Sequence, residues 1–336
     1  MSIQSEHLND NPMPWLLEPD ADNPSIRYFV LRDLLGRSQD DPEVCQARAD
    51  IMTRGPVPII LENQHPAGYW AKPGGGHSPS YQVTVWQIIF LAELGADPSD
   101  ERVQRGCDYF MGHSMAANGA FAMNQPPVPS SVVHCLNGDP LYALLRLGHA
   151  HDPRVQTALD WQVRAITGEG QIRYYKSGTV GSNFACAYNQ GQPCAWGATK
   201  VMKALNAVPQ DQRTAVVQRA IEAGVEFLLS CDPAVADYPS TERVSSTWFK
   251  FGFPLSYRGD VLETTTVLVE QGYGDDPRLV NALQFILSKQ DNQGRWKMEK
   301  ALNGKMWVDI EEKGKPSKWV TLRALRVLRM AGMLST

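Results

Sequence analysis

Among the side chains of this sequence that could ligate metals or carry protons, four stand out: the adjacent His134 and Cys135, then Cys186 and Cys194. Thiolates and imidazole are the ligands zinc prefers, and three protein ligands plus a water would make a Lewis acid or a bound hydroxide. One expectation is therefore a Zn2+ site built from Cys135, Cys186 and Cys194, with His134, His77 or Asp260 as the fourth ligand. The Cys-x7-Cys spacing is not that of a zinc finger. A second expectation uses no metal. An acid protonates a leaving hydroxyl and a base takes the departing proton, with His134 and Asp22, or Cys194 and Tyr81, in those roles and Cys186 and Asp260 beside them. Against both stands the plain fact that cysteine is among the most buried residue types. Cys45, Cys107 and Cys231 fall on predicted outer helices and are expected to be small core fillers.

Whether these side chains meet depends on the elements that carry them, and those elements repeat. A helix end, a glycine, a polar turn and a new helix start recur as LLGRSQDDPEV, ELGADPSDERV, RLGHAHDPRV and EQGYGDDPRLV. The anchors are Gly36, Gly95, Gly148, Gly272 and Gly332, with Val208 in the fourth slot, at spacings of 59, 53, 60, 64 and 60. Glycine suits the residue after a helix because a left-handed conformation costs it nothing. Each unit pairs a helix that is apolar nearly all round, such as VWQIIFLAEL (85–94), with a striped one, such as PRVQTALDWQV (153–163). The first kind belongs inside and the second outside. Six such pairs predict an all-α (α/α)6 toroid of helical hairpins, a single domain over 1–336 with 1–20 as an N-terminal extension.

Two stretches carry a family resemblance. QHPAGYW (Gln64, Gly68, Trp70) and QDNQGRW (Gln290, Gly294, Trp296) both read Gln-x-x-x-Gly-x-Trp after an outer helix, with WQVRAITGEGQIRYY (161–175) as a degraded third copy. The chain thus resembles the QW-repeat superfamily of terpenoid cyclases and protein prenyltransferases. That resemblance implies a scaffolding role for the motif, Gln holding a neighbouring helix end and Trp packing upon it. The Asp-x-Cys and later His of the prenyltransferase zinc site and the Asp-x-Asp-Asp acid of triterpene cyclases are absent. A fainter resemblance, to linalool dehydratase-isomerase, rests on His134 and on Cys186 and Cys194 with Asn189 between them. It implies acid/base chemistry without metal.

Counting back thirteen and fourteen positions from each anchor gives Asp22/Asn23, Tyr81/Gln82, His134/Cys135, Cys194/Ala195, Arg258/Gly259 and Lys318/Trp319. These residues form one level at the starts of the inner helices, and that level is expected to be the cavity mouth. Hydrophobic content of 43%, net charge of −4 and a pI near 6.0 suit a globular chain with no nucleic-acid partner. No apolar run is long enough to span a membrane, and the N-terminus lacks a signal-peptide pattern. The expectation is a cytoplasmic protein, with a homo-oligomer left open. The leading function is lyase, isomerase or cyclase chemistry on a small hydrophobic, isoprenoid-like molecule. The alternatives are a non-catalytic toroid that binds a hydrophobic ligand or a protein, and a carbohydrate-active (α/α)6 enzyme, which needs paired cleft carboxylates.

Overall fold

The structure is a computed structural model that describes residues 7–169, 173–174, 178–179, 184–240 and 244–334. Its helices are α1 (Met13–Leu17), α2 (Pro24–Phe29), α3 (Pro42–Thr53), α4 (Pro56–Glu62), α5 (Thr84–Leu94), α6 (Glu101–Ser114), α7 (His134–Arg146), α8 (Pro153–Thr167), α9 (Ala195–Ala207), α10 (Ala215–Leu229), α11 (Val261–Val269), α12 (Val280–Ser288) and α13 (Lys318–Met330). Two short paired segments, Arg173–Tyr174 and Gly178–Thr179, add the only ladder among the described residues. The degraded third repeat and the loop before Cys194 lie partly outside those residues.

The inner ring runs α2, α5, α7, α9, α11, α13 and back to α2. Burial follows the sequence pattern. Every residue of α5 except Glu93 is buried, whereas α8 buries the expected stripe Val155, Ala158, Leu159 and Val163. The anchors behave as their residue type predicts: Gly36, Gly95, Gly148, Gly272 and Gly332 all have positive φ. Val208 instead closes α9 at φ −67°, where a side chain is unstrained. Ser25 Oγ donates to Leu94 O at 2.7 Å, tying α2 to α5. Gly138 lets α7 and α9 approach closely, since a Cβ there would lie 2.8 Å from the Lys200 carbonyl carbon.

The two Gln-x-x-x-Gly-x-Trp turns are superposable in their bonding. Trp70 Nε1 donates to Ile60 O and Trp296 Nε1 to Ile286 O, each at 2.7 Å. Gln64 Nε2 donates to Arg102 O, at the start of the next outer helix, at 2.8 Å. Gln290 has no outer helix after it in sequence, so it takes the other end of the chain: its Nε2 donates to His7 O and its Oε1 accepts from Asn9 N, both at 2.8 Å. Residues 7–17, expected as part of a loose extension, therefore close the ring, and Met13 and Leu16 are fully buried. Both indoles are fully buried too. Burying roughly 200 Å² of indole contributes about 5 kcal/mol before entropy is counted.

Candidate functional site

The expected thiol site is only partly assembled. His134 opens α7, and its Nδ1 lies 2.8 Å from Gln162 Nε2. Because Gln162 Oε1 already accepts from Asn137 Nδ2 at 2.9 Å, the amide nitrogen is the donor, so the imidazole Nδ1 accepts. The ring packs against Phe184 and Trp161, and burial holds its pKa down at about 3. Cys194 caps α9 and Cys186 sits on the preceding turn, where a hydrogen bond from the Cys194 thiol and backbone N–H groups of Tyr188 and Asn189 pull its pKa to about 7. Burial, with the charge of Cys186 adding to it, pushes the Cys135 thiol well up. Among the described residues no three His, Cys, Asp or Glu side chains converge as metal ligands do. The zinc expectation therefore has no gathered ligand cluster behind it among the described residues: His134 Nδ1 is hydrogen-bonded to Gln162, and His77 Nδ1 lies 3.1 Å from Met123 O on another loop.

The remaining sequence-predicted residues scatter. Asp260 is 1% exposed and caps α11, accepting from Glu263 N at 2.7 Å and forming a two-bond pair with Arg323. It thus clamps α11 to α13. Asp22 is exposed ahead of α2, whereas His134 is buried at the start of α7. Tyr81, at φ +67°, packs its ring against Trp86 and meets Ser256. Cys107 is buried as expected, but Cys45 is exposed, because α3 turns that face outward.

At the level of the inner-helix starts Phe253 stacks on Trp319 with ring centroids 3.7 Å apart. The large cavity, about 680 Å³, lies beyond this stack, running toward the C-terminal ends of the inner helices. Phe29, Phe253, Leu255 and Trp319 give it an apolar part. Its walls are ionic, with cationic side chains outnumbering carboxylates. At its centre Lys203, from α9, forms ion pairs with Glu93 of α5 and Glu263 of α11, and its ammonium stands 4.3 Å from the Tyr142 ring centroid. Behind it, Lys200 Nζ donates to Glu263 Oε1 at 2.8 Å and pairs with Asp139 at 3.3 Å.

The local electrostatics separate the carboxyls. Burial opposes the charge of Glu263, but Lys200 and Lys203 overcome it and hold the pKa at about 2. Burial raises Glu270, two turns further along the same face, above its ordinary value, and raises Asp139 to about 6. Glu263 Oε2 is buried and has no hydrogen-bond partner among the described residues.

Of the charged residues lining this cavity, none was singled out from the sequence. A signal was present: WVTLRALRVLRMAG spaces Arg323, Arg326 and Arg329 by three on an inner helix, and charge repeated on a helix buried all round must face an internal cavity.

The fold and cavity together define an α/α toroid with an ionic centre. No family model matches the chain, and no curated protein matches it. Among solved structures it is similar to a protein from Actinoplanes, 14% identical with a TM-score of 0.43 over 95% of this chain and 96% of that one. It is also similar to the type II terpene cyclase MstE from Scytonema, 15% identical, TM-score 0.42, over 92% and 87%. A third is the GH76 α-mannanase BT2949 of Bacteroides thetaiotaomicron, 13% identical, TM-score 0.44, over 92% and 85%. No helix among the described residues is long and apolar enough to cross a membrane.

Proposed function

We propose that the protein is an enzyme that draws a small amphiphilic molecule into the central cavity and moves protons on it, as a lyase, isomerase or cyclase does. The observation that carries this reading is the placement of Glu263 on α11 and of Glu270, seven residues on, at the C-cap of that helix, both lining the cavity, with environments that drive their proton affinities in opposite directions. Such divergence is how one site keeps an acid and a base at the same pH. Glu263, ionised and with one oxygen unpartnered among the described residues, is the base. Glu270 is the acid. Lys203 fixes Glu263 and balances charge that develops beside it. Seven residues span about 10 Å of helix, so acid and base address two ends of a bound molecule, one adding a proton and the other removing one.

The cavity asks for more than a hydrocarbon. An isoprenoid-like body suits Phe29, Phe253, Leu255 and Trp319, but a wholly apolar occupant would strip water from the ionic walls without replacing it. The substrate must therefore carry polar or charged groups of its own.

The test is solvent deuterium exchange. Purified protein is incubated in D2O with panels of terpenoid acids and alcohols, polar organic acids and oligosaccharides, and the compounds are weighed by mass spectrometry. The expected result is deuterium gained by one compound class, reduced at least a hundredfold in Glu263→Gln and in Glu270→Gln. Binding without exchange would favour a non-catalytic toroid. Release of reducing sugar ends, with Glu93 and Glu263 as the carboxylate pair on one ammonium, would favour a glycosidase.

A further inference from the structure

The cavity holds a second charged group that the proposed proton transfer does not use. Helix α2 does not end as an α-helix. It widens into a π-helical turn over Val30–Leu34, in which Leu35 N donates to Val30 O at 3.0 Å. Such single wide turns occur often at functional positions. Here the turn presents two consecutive side chains, Arg32 and Asp33, to the same cavity. From α13, across the ring closure, Arg326 and Arg329 reach the same spot. Arg326 pairs with the Asp33 carboxylate and Arg329 Nη1 donates to the Asp33 carbonyl. Arg32 pairs with Asp33 as well, through Nη2 at 2.9 Å.

Arg32 and Arg326 are both stacked on Phe29, at 4.9 and 4.6 Å from its centroid. One carboxylate thus serves two stacked guanidiniums, with Arg329 and Arg146 alongside, and Glu270 is the other carboxyl facing the group. The donors are not used up. Arg326 Nε is buried and has no hydrogen-bond partner among the described residues. Its proton affinity is lowered, chiefly by burial and then by the charge of Arg32, although Asp33 acts the other way. Guanidiniums crowded together in a cavity with donors to spare are stabilised by an arriving oxyanion, which they grip through paired N–H groups.

We infer that Arg32, Arg326 and Arg329, with Arg146 at the rim, form a binding subsite for a doubly charged oxyanion. Four cations against Asp33 and Glu270 leave an excess that a phosphate group or a dicarboxylate neutralises. This deepens the function proposed above, because the oxyanion would be the charged end of the same substrate, its apolar part lying toward Phe253 and Trp319. Asp33 is a placeholder in this view: it holds the arginines apart and aimed until the anion arrives.

Calorimetric titration of the full chain with sodium pyrophosphate, inorganic phosphate and succinate, at low ionic strength so that screening is weak, tests the inference. The expected result is saturable one-to-one binding of at least one of these, and the tighter class names the source of the charge. Affinity should fall tenfold or more in Arg326→Gln and, separately, in Arg329→Gln, and should persist in Arg278→Gln, a surface cation outside the cavity. Among the described residues Arg329 bonds only the Asp33 carbonyl, so its variant remains informative if Arg326→Gln fails to fold. No saturable binding of any of the three, or binding untouched in both arginine variants, would overturn the subsite. Anion binding with no deuterium exchange on any compound would leave the subsite standing and sink the proton-transfer reading. Exchange on a neutral compound without anion binding would do the reverse.

Discussion

Arg32 and Arg326 come from the first and last inner helices, yet their guanidiniums lie over the same aromatic ring, that of Phe29, and share one carboxylate, Asp33. Two like charges at such range repel, and burial sharpens the repulsion. Cation–π attraction and Asp33 offset it. The ring is thus closed, at its seam, by a charged contact facing the cavity rather than by apolar packing alone. Elsewhere the closure is ordinary: Trp319 Nε1 donates to Asn23 Oδ1 at 2.9 Å, and Gln290 holds residues 7–9.

The Gln290 anchor makes a prediction about that closure. Gln290→Ala removes two hydrogen bonds to the N-terminal segment, each with a net worth of about 1 kcal/mol. The variant should lose roughly 1–2 kcal/mol in urea denaturation, and limited proteolysis should cut before Met13 faster than in the wild type. Equal protection in both would show that α1 is held by Met13 and Leu16 alone.

His134 and His77 give the fold a pH dependence of definite sign. Burial holds His134 at about 3 and His77 at about 4, below the value near 6.5 that an unfolded histidine shows. Between those limits the unfolded chain binds more protons than the folded one, so stability rises with pH and is lost as the pH falls below about 6.5. Each histidine contributes about 1.4 kcal/mol per pH unit through that window. His134→Gln keeps a partner for Gln162 without titrating. Its urea midpoint should therefore fall less than that of the wild type between about pH 6.5 and pH 5. Parallel slopes for the two proteins would refute the assignment of His134 as neutral and buried.

The thiols predict a graded reactivity. Cys186, with its pKa near 7, should be alkylated by iodoacetamide well before Cys135, whose thiol burial holds protonated. The rate should rise through neutral pH with a midpoint near that value. Cys194→Ala removes the hydrogen bond that stabilises the Cys186 thiolate, so the midpoint should move up by a unit or more. Elemental analysis belongs beside this measurement. About one zinc per chain, lost in Cys135→Ser and Cys194→Ser, would mean that the thiols and His134 rearrange to ligate metal.

How much of this was readable beforehand differs from element to element. The repeat, the inner and outer helices and the left-handed glycines were legible in the sequence, because each depends on local backbone geometry or on one helix face being buried, whereas the scaffolding role of both Gln-x-x-x-Gly-x-Trp turns came from the family resemblance. Even the level that includes His134 and Cys194 was placed correctly at the inner-helix starts. The charged cavity toward the opposite ends of those helices was not foreseen. Where a ring leaves a cavity depends on how Phe253, Trp319 and the loops between repeats pack, and no periodicity records it. The choice of Gln162 by His134 and the use of Asp260 as a clamp for Arg323 are contacts between separate helices, fixed only when those helices pack. The sequence determined the ring and its spacing through forces acting within one hairpin. The tertiary structure alone decided where charge is tolerated inside it, because that follows from which side chains of six separate helices turn toward a common axis.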